Sequence, residues 1–221
     1  MKVIISGYGR MGHMIEDVLK RRGIELALAS EDITNVEPSL ASECVCIDFT
    51  TPDAFRRNYP FLAANFKAVV AGTTGWDDIR EEVIAEFIRQ DTPMIYSSNF
   101  SIGVNAVFAV LEKIGAVLRG HDYTPRIEET HHIHKKDAPS GTAKTMAEIV
   151  GDSLGTVPEV TSFRLGEVPG THVVEFSSRV DRITVSHEAF GREGFAEGAV
   201  EAALMTEGLK GVHTFKELIL K

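Results

Sequence analysis

Residues 2–12 of the chain read KVIISGYGRMG, and this stretch decides the fold. Its first five residues have the apolar, β-branched character of a short buried strand, and a Gly-x-Gly-x-x-Gly pattern (Gly7, Gly9, Gly12) follows at once. Apolar residues then recur at helical spacing as far as Leu19. A glycine-rich loop without a ligand is the alternative interpretation, but a strand before the glycines and a helix after them favour a dinucleotide-binding loop. Gly7 permits the tight turn, Gly9 the approach of a pyrophosphate, and Gly12 close helix–strand packing.

The second predicted strand, residues 24–30, bears on the choice of cofactor. It ends at Glu31 and Asp32, about twenty residues beyond the glycines, where a carboxylate holds the ribose hydroxyls of a bound dinucleotide. The same carboxylates repel a 2′-phosphate. We therefore expect NADH and/or NADPH as cofactor, with a slight preference for NADH.

Three further predicted strands in the first half of the chain end in small polar turns. These turns are Asp48-Phe49-Thr50, Gly72-Thr73-Thr74 and Ser97-Ser98-Asn99. Each alone is typical of an ordinary connection, but the carboxyl ends of parallel strands face the ligand crevice of an open sheet. Their joint placement favours a cofactor-binding surface.

The pattern changes near Gly103, where a long helix, a strand and a second helix precede three short strand-like runs. We predict an α/β fold: a Rossmann-type doubly wound parallel sheet, plus a smaller α+β substrate and oligomerisation domain with a mixed or antiparallel sheet. The predicted dinucleotide-binding domain is 1–102, with a C-terminal helical segment, 191–221, packing back on it. The predicted second domain is 103–190. Apolar positions on both faces of its sheet would need a partner to cover one face, which predicts an oligomer.

Residues 129–143, ETHHIHKKDAPSGTA, are the most unusual stretch of the second half. They combine three histidines and two lysines with a Ser-Gly-Thr turn that opens a predicted helix. Ser140 can cap that helix, so that the amides of Gly141 and Thr142 point at an incoming carboxylate. A histidine moves a proton near neutral pH, and the lysines add positive charge. The stretch predicts a site for a small polyanion rather than a solvated strand edge.

A metal site is the sharper alternative for this stretch. His132 and His134 would share one face of a strand, and Asp137 could join them as a third ligand. Lys135 and Lys136 argue against this interpretation, because two fixed cations beside a divalent ion are electrostatically costly. We predict no metal.

Composition limits the possible partners and location. The formal net charge of −9 argues against nucleic acid and against an anionic membrane surface. No apolar run approaches the ~18 residues of a membrane-spanning helix, and the N-terminus enters the fold directly as a strand. Cys44 and Cys46 are two apart in a strand and are interpreted as small core residues, as expected in the reducing cytoplasm.

With these residues in view, the chain resembles the dihydrodipicolinate reductase family of lysine and diaminopimelate biosynthesis. The most specific match is the stretch 129–143, and the glycine loop supports it. Further matching segments are Ile47-Asp48-Phe49-Thr50, Gly72-Thr73-Thr74-Gly75, Ser98-Asn99-Phe100-Ser101, Arg164-Leu165-Gly166, Gly170-Thr171-His172 and Phe195-Ala196-Glu197-Gly198-Ala199. The chain is short for this family, compressed between Glu31 and Glu43 and one residue shorter in the glycine loop.

The resemblance implies NAD(P)H-dependent reduction of dihydrodipicolinate, or its hydroxylated precursor, to tetrahydrodipicolinate by a homotetramer. It implies that His131 is the general acid and that Lys135 is a second proton donor or a neutralising cation. The implied substrate-binding residues are His132, Ser140, Gly141 and Thr142. The implied cofactor-binding residues are Gly7, Tyr8, Gly9, Arg10, Met11, Gly12, Glu31, Gly72, Thr73, Thr74, Ser97, Ser98, Asn99 and Phe100.

Other functional classes remain open at this point. One alternative is another Rossmann-fold NAD(P)-dependent reductase acting on a small dicarboxylate. A semialdehyde dehydrogenase needs a nucleophilic cysteine, and Cys44 and Cys46 lie in a buried-looking strand. A non-catalytic nucleotide sensor has no use for the clustered His131, His132 and Lys135.

Overall fold

The computed structural model describes residues 1–220, and the chain forms two compact units. The first comprises Met1–Ser101 together with the segment that begins at Phe195, and the second comprises Ile102–Gly194. Lys221, the last residue of the predicted segment 191–221, lies outside the described residues.

The helices and strands follow the predicted alternation. The strands are β1 (Lys2–Ser6), β2 (Glu25–Ser30), β3 (Cys44–Asp48), β4 (Ala68–Ala71), β5 (Met94–Tyr96), β6 (Thr124–His131), β7 (Glu159–Arg164), β8 (Gly170–Ser177), β9 (Arg182–Ala189) and β10 (Val212–Thr214). The helices are α1 (Arg10–Arg21), α2 (Pro38–Ala41), α3 (Pro52–Asn65), α4 (Arg80–Arg89), α5 (Ile102–Leu118), α6 (Gly141–Leu154), α7 (Glu193–Met205) and α8 (Phe215–Ile219). Two 3₁₀ turns, Ile33–Asn35 and Asp77–Ile79, complete the set.

The first unit is a six-stranded parallel sheet in the order β10-β5-β4-β3-β1-β2. Alternate residues of its central strands face opposite sides, so each side has a separate apolar core. Ile15 and Leu19 of α1 and Ala199 of α7 pack on one side, and Phe55 of α3 and Phe87 of α4 pack on the other. The predicted doubly wound sheet is confirmed. Strand β10, at the sheet edge beside β5, was not predicted.

A side-chain cap marks the start of α3, and the backbone angles of Ile79 set the start of α4. Thr51 accepts a hydrogen bond from the Ala54 amide at 3.2 Å, and Pro52 occupies the first turn of α3. Helix α4 begins only at Arg80, although helical structure starts at Asp77. Ile79 has φ −113° and ψ 15°, outside the α-helical range, so a 3₁₀ turn precedes α4.

The second unit contains a four-stranded mixed sheet in the order β7-β6-β8-β9. Strand β6 is parallel to β7 and antiparallel to β8, which in turn is antiparallel to β9. One face is covered by α5 and α6, whose apolar residues meet Ile127, Val174 and Phe176. The mixed arrangement was one of the two predicted.

The opposite face of this sheet carries both polar and apolar side chains. Its polar residues include Arg126, Glu128 and Glu175, while Phe163 and Leu165, at the β7 edge, are 47% and 63% exposed. The face is therefore less apolar than the sequence pattern indicated. None of the helices within residues 1–220 combines the length and apolar character that a membrane crossing requires.

Candidate active site

The carboxyl ends of three strands in the first unit are joined by a buried carboxylate. Asp48, at the end of β3, is fully buried and accepts hydrogen bonds of 2.6 Å from both the Ser6 and Thr73 hydroxyls. Thr50 donates a third at 3.1 Å. Burial raises the pKa of Asp48, and the three hydroxyl hydrogen bonds oppose that rise. The network fixes the turn after β4 relative to the glycine loop after β1.

The glycine loop has the geometry that a pyrophosphate requires. Gly7 has φ +86°, and a Cβ there would lie 2.4 Å from the Phe49 carbonyl oxygen. A Cβ on Gly12 would lie 2.5 Å from the Gly7 carbonyl oxygen, so α1 starts in close contact with the loop. Gly9 has nothing within 4 Å of its Cβ direction. The backbone at Gly9 is thus open to a ligand at the N-terminus of α1.

Other residues predicted to bind the cofactor divide into exposed and packed side chains. Arg10, Glu31 and Thr74 are exposed at the strand ends, whereas Asp32 accepts hydrogen bonds from Thr34 and Asn35 as the cap of a 3₁₀ turn. Tyr8 is hydrogen-bonded to Glu16 and stacks on His13, 4.1 Å between ring centroids. Met11 packs against the core.

The turn after β5 is held by its own side chains. The Ser97 hydroxyl accepts from the Asn99 amide at 3.1 Å, and the Asn99 side chain accepts from the Ser101 amide at 2.9 Å. Ser98 is exposed between them. Phe100 is 2% exposed and stacks on Phe215, so only its backbone is available to a ligand. Of the residues predicted at this edge, Phe100 and Thr73 therefore have structural side chains.

In the second unit, a carboxylate and an imidazole meet on the helix-covered face of β6. Glu129 and His131 point the same way because they are two residues apart on a strand. Nδ1 of His131 and Oε2 of Glu129 are in ion-pair contact, and neither has another hydrogen-bond partner among residues 1–220. The remaining ring nitrogen, Nε2, faces Gly170, where a Cβ would lie 3.0 Å away. The absence of a side chain at residue 170 keeps Nε2 clear.

Opposing influences set the protonation of this pair. Burial lowers the pKa of His131, with help from the cations of Lys135 and Arg164, while Glu129 raises it. Burial alone would raise the pKa of Glu129, but hydrogen bonds from Ser162 and Arg164, together with the nearby charges, hold it below its ordinary value. The carboxylate therefore stays ionised beside the imidazole.

A second histidine links this pair to the N-terminus of α6. His172 lies opposite Glu129 in the β6–β8 register, and its ring centroid is 5.1 Å from that of His131. Its Nε2 is 3.2 Å from the Ser140 hydroxyl, which also accepts from the Ala143 amide at 3.2 Å as the helix cap. The hydroxyl can still donate its proton, so it can serve a neutral imidazole as donor while it caps the helix. Burial, and secondarily the His131 charge, lowers the pKa of His172 to about 4, so the ring is neutral near pH 7.

The remaining predicted residues follow β6. Lys135 is 2.8 Å from Asp137, and the ion pair lowers the pKa of that carboxyl. Because β6 ends at His131, His132 and His134 lie in a turn, with ring centroids 6.0 Å apart. His132 is half-buried and His134 is exposed beside Glu167. Gly141 and Thr142 form the first turn of α6, and nothing lies within 4 Å of the Cβ direction of Gly141.

The structure does not assemble the metal site considered as an alternative. Within residues 1–220, His132, His134 and Asp137 do not bring three ligand atoms together, and Asp137 instead forms an ion pair with Lys135. Three other side chains, Glu129, His131 and His172, offer one ligand atom each within 4.8 Å of one another. Two cations, Lys135 and Arg164, adjoin that trio, which makes it unfavourable for a divalent ion.

Sequence reasoning did not single out Glu129, His172, Arg164 or Asp48 for roles in these contacts. One signal was available for Glu129: it occupies an inward-facing position of a strand whose alternate residues are apolar. The parallel register of β7 with β6, which brings Arg164 opposite His131, could not be read from spacing.

Sequence comparison matches both halves of the chain to one protein family. The family model described as dihydrodipicolinate reductase, N-terminus, matches residues 1–100, and the one described as dihydrodipicolinate reductase, C-terminus, matches residues 103–219. The 4-hydroxy-tetrahydrodipicolinate reductase of Christiangramia forsetii is 36% identical over 233 residues, covering 99% of this chain and 98% of that protein.

Solved structures show the same fold. A dipicolinate-bound dihydrodipicolinate reductase from Paenisporosarcina sp. TG-14 has a TM-score of 0.80 at 20% identity, with 99% of both chains covered. An aspartate dehydrogenase from Thermotoga maritima has a TM-score of 0.54 at 16% identity, covering 95% of this chain and 97% of that one. Since both halves match one family and the alignment to a curated relative spans the full length, the chain belongs to the dihydrodipicolinate reductase family of NAD(P)H-dependent oxidoreductases.

Proposed function

We propose that the chain reduces dihydrodipicolinate, or its hydroxylated precursor, to tetrahydrodipicolinate in lysine and diaminopimelate biosynthesis, with His131 as the proton donor. Family membership supports the reaction class and the nicotinamide cofactor. The observation that carries the residue assignment is the buried Glu129–His131 pair, with Lys135 and the capped N-terminus of α6 on the following segment.

The proton must reach the end of the conjugated system that gains negative charge. A bound nicotinamide would supply a hydride to an electron-poor ring carbon of the substrate. Glu129 contacts Nδ1 of His131, so Nε2, beside Gly170, is the nitrogen that delivers the proton. A positioned acid of this kind is worth roughly 10² to 10⁴ in rate. A dianionic substrate raises the pKa of a nearby imidazole, which offsets the effect of burial on His131.

The carboxylates of the substrate need hydrogen-bond donors and positive charge, and the chain's own residues can supply both. Ser140 caps α6 and leaves the first amides of the helix, at Gly141 and Thr142, for one carboxylate. Lys135 supplies a cation, and its contact with Asp137 holds it near the end of β6. We assign His132, which is half-buried in the turn after His131, to the same substrate site.

The residues of the first unit fit a dinucleotide at the carboxyl edge of its sheet. The open backbone at Gly9 suits a pyrophosphate at the N-terminus of α1. The turns Gly72–Thr74 and Ser97–Phe100 would line the nicotinamide half, the latter through backbone at Phe100. We propose a slight preference for NADH, because the exposed carboxylate of Glu31 repels a 2′-phosphate.

We further propose a homotetramer assembled through the open face of the β7-β6-β8-β9 sheet, and a cytoplasmic location. The exposed Phe163 and Leu165 support burial of that face against another copy. Cys44 and Cys46 are buried and unpaired, as expected in a reducing compartment. Light scattering on the purified protein tests the assembly, and a monomer at micromolar concentration would exclude it.

The reaction is tested by following NADH oxidation at 340 nm, with the substrate generated in place from pyruvate and aspartate semialdehyde by a coupled synthase. We expect consumption that depends on both precursors and falls at least about 10²-fold in kcat in a His131→Gln variant, with NADH affinity nearly unchanged. No consumption with NADH or NADPH contradicts the reaction. Full activity in the variant contradicts only the assignment of His131.

A further inference from the structure

The side chain of Arg164, the last residue of β7, donates hydrogen bonds both to Glu129 and to the segment that follows β6. Its Nη1 donates to Oε1 of Glu129 at 3.0 Å. The same guanidinium donates to the carbonyl oxygen of Lys135 at 3.2 Å and to that of Asp137 at 2.5 Å. Glu129 is fully buried and Arg164 is partly buried, with 20% of its side chain exposed. These simultaneous contacts require several N–H donors arranged in one plane. A guanidinium has them, and the ammonium of lysine does not.

These contacts reach both His131, the proposed proton donor, and Lys135, the proposed cation. Glu129 accepts from Arg164 through one oxygen and contacts Nδ1 of His131 through the other. The two carbonyl contacts hold the segment from which Lys135 projects. Backbone register reinforces the link, because Arg164 pairs with His131 in the β6–β7 ladder and the Leu165 amide donates to the His131 carbonyl at 2.8 Å.

We propose that Arg164 is a positioning residue that holds His131 and Lys135 in one fixed relation, through the Glu129 carboxylate on one side and the Lys135 and Asp137 carbonyls on the other. The inference rests on the proposed function, in which His131 donates the proton and Lys135 supplies positive charge. Arg164 acts through these residues and is assigned no contact with the substrate.

The charges around His131 make its pKa a means of testing the proposal. Glu129 favours the protonated imidazole, whereas the cations of Lys135 and Arg164 disfavour it and so lower the His131 pKa. Near pH 7 the adjacent His172 is neutral, because burial lowers its pKa to about 4. Removing the Glu129 charge must therefore lower the His131 pKa, and removing the Arg164 charge must raise it. A residue that only stabilised the fold would not shift the His131 pKa when it was replaced.

The test compares the pH dependence of kcat/KM in Glu129→Gln and Arg164→Gln with that of the unmodified enzyme. Activity that needs a protonated His131 is lost on the basic limb. We expect that limb to move down by about one pH unit in Glu129→Gln and up by a similar amount in Arg164→Gln. Despite that upward shift, kcat in Arg164→Gln should fall roughly 10- to 100-fold and the substrate KM should rise, because the Lys135 segment loses its donors. The KM for NADH should not change.

Arg119→Gln is the matched control, since Arg119 also donates to backbone carbonyls, those of Asp152 and Ser153, within the second unit. We expect it to leave the basic limb and kcat unchanged. If Arg164→Gln does not fold, Arg164→Lys replaces it. Lysine keeps the charge but cannot make all three contacts, so the limb should stay in place while kcat falls. Wild-type kcat and KM in Arg164→Lys would overturn the proposal.

A His131→Gln variant separates this inference from the function on which it rests. If His131→Gln abolishes the basic limb while Glu129→Gln and Arg164→Gln leave it in place, the positioning role is refuted and the acid stands. If His131→Gln retains both the limb and the rate, the acid itself is refuted and the positioning role falls with it.

Discussion

His172 is buried in its neutral form, and from this we predict how much stability the protein loses in acid. In the folded protein burial lowers the pKa of this histidine to about 4, whereas in the unfolded chain it has the ordinary value near 6.5. Between these pH values the unfolded state binds a proton that the folded state does not. Protonation therefore favours unfolding, and the stability that is fully present above about pH 6.5 is lost as the pH falls towards 4. For these two pKa values, the loss between pH 7.5 and pH 4.5 is roughly 2 to 3 kcal/mol.

The perturbation is His172→Gln, whose side-chain oxygen can still accept from the Ser140 hydroxyl but does not titrate. The free energy of unfolding is measured from urea titrations at both pH values, at one protein concentration because an oligomer's stability depends on it. We expect the unmodified protein to lose roughly 2 to 3 kcal/mol more than the variant between the two conditions. Burial also lowers the pKa of His131 and His187, but those residues are present in both proteins and their contributions largely cancel.

The exposed His121 provides the control, because His121→Gln should leave the pH dependence unchanged. Parallel stability curves for His172→Gln and the unmodified protein would show that His172 is not held neutral by burial. The argument for a fixed Ser140 cap beside a neutral imidazole would then fail.

Other variants test separate parts of the structure. Lys135→Ala should lower kcat and raise the substrate KM in the coupled assay, because the cation that attracts the substrate and neutralises its developing charge is lost; wild-type constants would remove Lys135 from the site. Gly12→Val should abolish NADH binding measured by calorimetry, since even a Cβ there would lie 2.5 Å from the Gly7 carbonyl oxygen; retained binding would refute the assignment of the glycine loop. Gly170→Ala should lower kcat roughly tenfold, because its Cβ would lie 3.0 Å from Nε2 of His131; an unchanged kcat would mean that Nε2 is not the proton-delivering atom.

Much of the fold could be predicted because its elements carry local signals. Thr51 and Pro52 mark the start of α3, and the capping residue Ser140 marks the start of α6. Alternating positions in β6 indicate a strand with one buried face. These features depend on neighbours within a few residues, and propensity and capping act over that range.

Contacts between distant residues could not be predicted in the same way. Val212–Thr214 is too short to give a periodic signal, and only its position beside β5 makes it a strand. Arg164 and Glu129 are 35 residues apart, and their contact depends on the parallel register of β7 with β6. The sequence thus indicated which residue types form the acid site, but not the carboxylate and guanidinium that align them.

The first unit has a consequence for how the protein is made. Its chain is interrupted: it leaves after Ser101 and returns only at Phe195. Ala199 and its neighbours on α7 cover one face of the first sheet, and β10 completes its edge. During synthesis the part of that face that α1 does not cover stays exposed until α7 has left the ribosome, whereas residues 102–194 emerge as one uninterrupted stretch. Translation that stops before α7 therefore leaves a sheet with one apolar side only partly covered, a species prone to aggregation and a natural target for chaperones.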